Sequence, residues 1–191
     1  EQLRNAPSAI LRKALGNQAE ATRQLAQGID DSPVEPARPT KSISAEETFA
    51  LDTVAIDFLT QVLHRHVEEV AQRLRDEHLE GRTITLKLRR ADFKIITRSR
   101  TLPSPTNTTE LLWQEAKSLL HHWHQTEPTP LRLLGFGVAN LQKQGQGQQF
   151  LFTDETETRH QKVDDILDQI RKKYGSDALK RGTQSPSDAI S

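Results

Sequence analysis

The chain has 191 residues, of which 34% are hydrophobic and 27% are charged, with equal numbers of acidic and basic side chains. It contains no cysteine, which excludes disulfides, thiolate metal sites and a cysteine nucleophile. It also contains no apolar run of about 18 residues and no signal-peptide pattern, so we expect a soluble, cytoplasmic protein without a membrane partner.

The first 41 residues predict a short helical segment followed by a linker. Residues 8–28 carry apolar side chains at helical spacing, and we expect Gly16 to divide this helix and Gly28 to end it. The next stretch contains three prolines and few apolar side chains, which predicts an extended tether. The predicted division is a helical segment over residues 1–30, a tether over residues 31–41, a domain over residues 42–182 and a disordered tail over residues 183–191.

The domain that follows alternates between strand and helix patterns. The predicted elements are a strand over 42–49, a helix over 52–78, two hairpin strands over 82–90 and 93–101, a helix over 109–125, a strand over 131–138 and a further helix over 158–174. We expect Pro103 and Pro105 to close the second hairpin strand. The order β-α-β-β-α-β predicts an α+β, ferredoxin-like fold, a four-stranded antiparallel sheet with two helices on one face.

The hairpin is strongly cationic. Residues 82–100 carry seven Lys or Arg against one acid, a local charge of +6 in a chain whose net charge is zero. Because side chains alternate across a strand, Phe93 and Ile95 are predicted to face the helices, with Ile96 an apolar exception on the open face. The cations predicted on the open face are Lys87, Arg89, Lys94, Arg98, Arg100 and Arg132.

A cationic face that also carries hydroxyl groups is typical of surfaces that contact nucleic-acid phosphates. The alternative is that these charges only solubilise an exposed strand. Since no aromatic side chain is predicted on this face, the pattern favours contacts to a duplex backbone over stacking of single-stranded bases.

Several strings resemble the Y-family DNA polymerases of the DNA polymerase IV (DinB) type. Residues 41–49, Lys-Ser-Ile-Ser-Ala-Glu-Glu-Thr-Phe, resemble the strand that opens the family's little finger domain, although Ser44 stands where the family usually has Gly. Residues 81–102 resemble its central hairpin, residues 131–138 its last strand, and residues 25–30 the end of its thumb domain. The resemblance extends over about residues 10–182.

The resemblance implies the end of a thumb, a tether and the little finger of a translesion polymerase, an enzyme of DNA repair and damage tolerance. A first residue Glu1 and the absence of Met also predict a piece of a longer protein. In the family, the catalytic carboxylates and their Mg²⁺ belong to a palm domain that lies N-terminal to these segments. We therefore expect no catalytic residue, metal or cofactor here, and a nucleoid-associated monomer whose partner is duplex primer–template DNA.

The DNA-binding residues that the resemblance implies are cations for phosphate groups and hydroxyl-bearing residues for hydrogen bonds. They are Lys41, Ser42, Ser44, Lys87, Arg89, Lys94, Thr97, Arg98, Ser99, Arg100, Thr101 and Arg132. Contacts of this kind position a duplex without specifying its base sequence.

A second motif suggests a protein partner. Residues 148–152, Gln-Gln-Phe-Leu-Phe, resemble the bacterial sliding-clamp motif Gln-Leu-x-Leu-Phe, with Gln148, Leu151 and Phe152 as the clamp-binding residues. Alternatively, the two phenylalanines only pack the last helix onto the domain. The competing functions are thus an adaptor that binds the clamp, with incidental DNA binding, and a free-standing ferredoxin-like RNA binder.

Seven histidines raise the question of a metal site. The two clusters are His64 with His66, and His121 with His122 and His124. Both fall on predicted helices and no cysteine is available, so we expect surface histidines rather than metal ligands.

Overall fold

The computed structural model describes residues 2–33, 40–145, 155–175 and 178–179. Contacts divide the chain into two compact units, residues 1–39 and residues 40–191. Within the described ranges, no helix is both long and apolar enough to cross a bilayer. The tail expected over residues 183–191 lies outside the described residues.

The first unit consists of short helices: α1 (Gln2–Asn5), α2 (Ser8–Leu15), a 3₁₀ turn (Gly16–Gln18) and α3 (Ala19–Ala26). Gly16 has a φ of 56° and separates α2 from α3 as predicted. Gly28, with a φ of 78°, follows the end of α3. Its amide donates to the carbonyl of Leu25 at 3.0 Å and the amide of Ile29 donates to Gln24 at 2.9 Å, the pattern of a Schellman motif.

The second unit contains the sheet and the longer helices. Its elements are β1 (Ser42–Thr53), α4 (Ile56–Asp76), β2 (Leu79–Arg90), β3 (Ile95–Thr106), α5 (Thr109–Thr126), β4 (Leu131–Lys143) and α6 (Glu155–Tyr174). The strands form one sheet in the order β1-β4-β2-β3, and every neighbouring pair is antiparallel. Because α4 and α5 each join two strands with a third strand between them, the split β-α-β arrangement and the α+β class are confirmed.

The core lies between the sheet and helices α4 and α5. In α4, buried apolar residues recur every three or four positions, so one stripe of the helix faces the sheet. That stripe comprises Leu59, Val62, Leu63, Val67, Val70 and Leu74. It belongs to one cluster with Ile84, Leu86 and Leu88 of β2, Leu134, Phe136 and Val138 of β4, and Trp123 of α5.

The third strand is longer than the sequence predicts. It continues through Pro103 and Pro105 to Thr106, so the expectation that these prolines close it is wrong. In the sheet order β3 is an edge strand, and its pairing with β2 shifts between Gly81 and Thr83. Proline has no N–H to donate to a ladder, and edge strands and bulges are the places where that loss is tolerated.

Candidate nucleic-acid interface

Strand register decides which cations share the open face. Residues directly opposite each other in an antiparallel pair project to the same side of the sheet. Because Ile84, Leu86 and Leu88 of β2 are buried in the core, their partners in β3 also project towards the helices. Those partners are Arg100, Arg98 and Ile96. The prediction that Arg98 and Arg100 lie on the open face is therefore wrong.

The predicted and observed faces of β3 differ by a shift of one residue. The predicted strand begins at Phe93, with that side chain towards the helices, whereas in the structure Phe93 lies in the turn with a φ of 63° and β3 begins at Ile95. Since side chains alternate, a shift of one residue moves every side chain of a strand to the other face. Ile95 is consequently exposed on the open face, and Ile96 packs against the core.

Arg98 and Arg100 form ion pairs with carboxylates on the helical side of the sheet. Arg98 Nη2 lies 2.8 Å from Oε1 of Glu127, directly after α5, and Arg100 Nη1 lies 2.5 Å from Oε2 of Glu115 in α5. These side chains are partly exposed, so each pair contributes at most about 1 kcal/mol to stability. A phosphate could therefore replace either carboxylate at little cost.

The open face is built of four rows across the order β1-β4-β2-β3. These are Ser42–Ala139–Thr83–Thr101, Ser44–Gly137–Thr85–Ser99, Glu46–Gly135–Lys87–Thr97 and Thr48–Leu133–Arg89–Ile95. Hydroxyl groups dominate the first two rows and charged side chains enter in the last two. The register thus brings the five predicted hydroxyl-bearing residues together on one face, with Lys87 and Arg89 beside them.

Cross-strand contacts hold these side chains in place. The hydroxyl groups of Thr83 and Thr101 lie 3.2 Å apart. Lys87 Nζ donates to Oε2 of Glu46 at 2.7 Å, over the intervening Gly135. A ligand phosphate at Lys87 would therefore compete with the Glu46 carboxylate.

Two glycines of β4 form the floor of a shallow groove of about 320 Å³ between β1 and β2. A Cβ atom on Gly135 would lie 3.0 Å from the Cβ of Glu46, and one on Gly137 would lie 3.1 Å from the Cβ of Ser44. Both distances are shorter than ordinary van der Waals contact, so side chains here would fill the groove and crowd β1. The glycines leave the backbone of the sheet uncovered at this groove.

The remaining predicted cations lie at the margins of this face. Lys41 is exposed directly before β1, and Lys94 is exposed in the hairpin turn. Asp92 accepts a hydrogen bond from the backbone amide of Lys94 at 3.1 Å, and this bond lowers the pKa of the Asp92 carboxyl. Arg132 places its guanidinium 4.9 Å from the centre of the Phe93 ring.

A largely buried ionic cluster, which the sequence did not predict, connects α6 to α4 and α5. Arg75 of α4 forms two hydrogen bonds with the carboxylate of Asp168, at 2.5 and 3.0 Å, and lies 3.4 Å from that of Asp164. Asp164 in turn accepts a hydrogen bond from the amide of Thr109 at 2.9 Å. A carboxylate at the N-terminus of α5 also interacts favourably with the helix dipole. The spacing of four residues between the two aspartates was the available signal.

Two of the histidines are buried, contrary to the expectation of surface positions. The ring of His64 packs edge-on against Trp113 with centroids 4.7 Å apart, and burial lowers the pKa of His66. Within the described ranges, no group of three or more His, Asp or Glu is placed to hold a metal ion. The candidate clamp-binding residues Gln148, Leu151 and Phe152 lie outside the described residues, so clamp binding stays a prediction from the sequence.

Comparison with known proteins identifies relatives for both units. Residues 40–151 match the model of the impB/mucB/samB family C-terminal domain. Over 98% of its length the chain is 34% identical to a DNA polymerase IV of Brucella melitensis, and over 91% it is 38% identical to one of Caulobacter vibrioides. It spans 44% and 42% of those two proteins, less than half of each.

A structural comparison supports the fold. A solved Y-family DNA polymerase chimera superposes with a TM-score of 0.57 at 19% identity. The match covers 74% of this chain and 41% of the chimera. At this identity the likeness establishes a common fold.

Proposed function

The chain belongs to the impB/mucB/samB family and contains the little finger domain of a Y-family DNA polymerase of the DNA polymerase IV type, and from this we propose that it binds duplex DNA through the phosphates without specifying the base sequence. The proposal rests on the side chains that the open face presents. This face combines rows of hydroxyl groups, a groove floored by glycine and the cations Lys87 and Arg89. Side chains of these types position nucleic acids through the backbone.

If this chain forms part of a longer polymerase like its relatives, the domain would hold primer–template DNA while that polymerase copies past lesions. The Mg²⁺ and carboxylates of that chemistry would belong to the part of the relatives that this chain does not span. Contacts to the DNA backbone suit a lesion-tolerant enzyme, because they do not depend on the base. Binding at this surface would then be equally strong for a damaged and an undamaged base. We further propose that the domain works as a monomer on chromosomal DNA in the cytoplasm.

Duplex binding should weaken steeply with salt. Each phosphate neutralised by a cation contributes about −0.9 to the slope of log K against log salt, so four contacts give a slope of about −3.6. Fluorescence anisotropy with two short duplexes of unrelated sequence would measure this slope, and the two affinities should agree within about twofold. No binding at low salt, or a strong preference for one sequence, would contradict the proposal.

Removing the carboxylates that pair with β3 tests whether Arg98 and Arg100 contact DNA. The double variant Glu115→Gln with Glu127→Gln frees both arginines, and duplex affinity should rise about threefold, as expected for exposed ion pairs. Glu110→Gln, on α5 but hydrogen-bonded to Gln114 instead, controls for the general loss of negative charge. If Glu110→Gln and the double variant gained the same duplex affinity for each negative charge removed, this would mean that Arg98 and Arg100 do not reach the phosphates.

A further inference from the structure

The tip of the hairpin exposes an aromatic side chain. Phe93 is 60% exposed, and its φ of 63° lies in the left-handed region that bulky side chains rarely adopt. Its amide donates to the carbonyl of Arg90 at 3.0 Å, which closes the turn around this conformation. The exposed Phe93 ring contributes nothing to the hydrophobic core. Backbone strain of the kind seen at Phe93 is often found where a ligand is bound.

Arg132 is brought to the same ring by an irregularity in β4. Leu133 lies opposite Arg89 and Leu131 lies opposite Arg90, so Arg132 is an extra residue between two consecutive pairs. A β-bulge of this type redirects a side chain away from the regular alternation. Here the result is a guanidinium 4.9 Å from the centre of the Phe93 ring.

The neighbours of this pair include an exposed apolar side chain and a further cation. Ile95, which is 51% exposed, lies opposite Arg89 in the last row of the open face. Lys94 is the neighbouring residue, and its ammonium lies 3.5 Å from Asp92. The tip thus offers an aromatic ring, an apolar side chain and several cations at the end of the proposed duplex-binding surface.

We propose that Phe93 and Arg132 form a stacking site for an unpaired nucleobase, at the point where the bound duplex gives way to single-stranded DNA. The proposal rests on the duplex binding proposed above and adds a second, different contact. Aromatic rings and guanidinium planes stack on the faces of bases, and nearby cations hold the adjoining phosphate. Bases inside a duplex already stack on both of their neighbours, so an unpaired base, whose faces are open, is the favoured occupant of this site.

The test compares two DNA probes on the complete 191-residue chain. One is a blunt duplex, and the other is the same duplex with a single-stranded 5′ extension. Phe93→Asn removes the ring, and asparagine tolerates the left-handed conformation, so the turn keeps its geometry. Affinity for the extended probe should fall about tenfold, in line with the loss of one stacked base, while affinity for the blunt duplex should change less than twofold.

Two further variants separate stacking from other effects. Phe93→Leu keeps an apolar side chain without a ring and should show a similar loss on the extended probe. Tyr174→Asn is the matched control, because Tyr174 is also exposed and has Lys173 5.2 Å from its ring centre, but lies at the end of α6. It should bind both probes like the unchanged chain.

The outcomes distinguish this inference from the proposed function. An unchanged affinity of Phe93→Asn for the extended probe, an equal loss on both probes, or full binding by Phe93→Leu would each overturn the stacking site. If the unchanged chain binds the extended probe but not the blunt duplex, the duplex proposal fails, and the stacking site is supported only if Phe93→Asn loses the binding of the extended probe. If it binds neither probe, both fail.

Discussion

Replacing Arg75 with alanine should lower the free energy of unfolding of the sheet-containing unit by about 3 kcal/mol, because breaking a buried ion pair leaves an uncompensated charge. The Arg75 side chain is 13% exposed and that of Asp164 only 2%, so the carboxylate cannot recover its hydration without structural change. Burial acts to lower the pKa of Arg75, but its hydrogen bond to Asp168 and the nearby aspartates raise it overall, so the guanidinium is charged.

Urea denaturation followed by tryptophan fluorescence would measure this loss. Trp113 and Trp123 are buried in the core beneath the sheet, so their emission reports unfolding of this unit. Arg73→Ala is the control: it removes an exposed arginine of the same helix that lies 3.8 Å from the Glu69 carboxylate and donates a hydrogen bond to the Ser44 carbonyl at 3.0 Å. The control should cost about 1 kcal/mol or less. Equal losses in the two variants would show that the cluster does not stabilise the fold.

The double substitution Lys87→Ala with Arg89→Ala should produce the largest loss of DNA binding. If each cation neutralises one phosphate, the slope of log K against log salt should become less steep by about 1.8, or 0.9 for each contact. Loss of Lys87 also leaves Glu46 unpaired beside the groove, where its negative charge would repel a phosphate. We therefore expect affinity near physiological salt to fall by at least about tenfold.

A matched control removes the same number of cations elsewhere. Lys172 and Lys173 are exposed residues of the last turn of α6, and replacing both with alanine should leave the salt slope nearly unchanged. Arg98→Ala with Arg100→Ala should have an intermediate effect, because these arginines already pair with Glu127 and Glu115. If the double variant of Arg98 and Arg100 lost more DNA affinity than the double variant of Lys87 and Arg89, the main DNA contact would be the edge strand β3 and not the open face.

The sequence alone determined the order of the elements and the core-facing residues of α4 and β2. Leu59, Leu63 and Val70 recur at helical spacing along the stripe of α4 that faces the sheet, and Ile84 and Leu86 occupy alternate positions of β2 that face the core. These signals are local, since a period of 3.6 or 2 residues is visible within one element. The hydroxyl-bearing residues of the open face followed from the family resemblance.

Only the tertiary structure decided which side chains of β3 lie on the open face. Alternation along a strand shows which residues share a face, but it does not show whether that face is the open one or the one towards the helices. That face depends on how the turn at Phe93 is closed, and a difference of one residue moved Arg98 and Arg100 to the helical side. The four-residue spacing of Asp164 and Asp168 places both on one face of a helix, but nothing in the sequence identifies Arg75, 93 positions from Asp168, as their partner. The sequence therefore determined that this chain has a cationic hairpin over a ferredoxin-like core. Only the packed sheet decided which cations lie on the open face, because that depends on the register in which β3 pairs with β2.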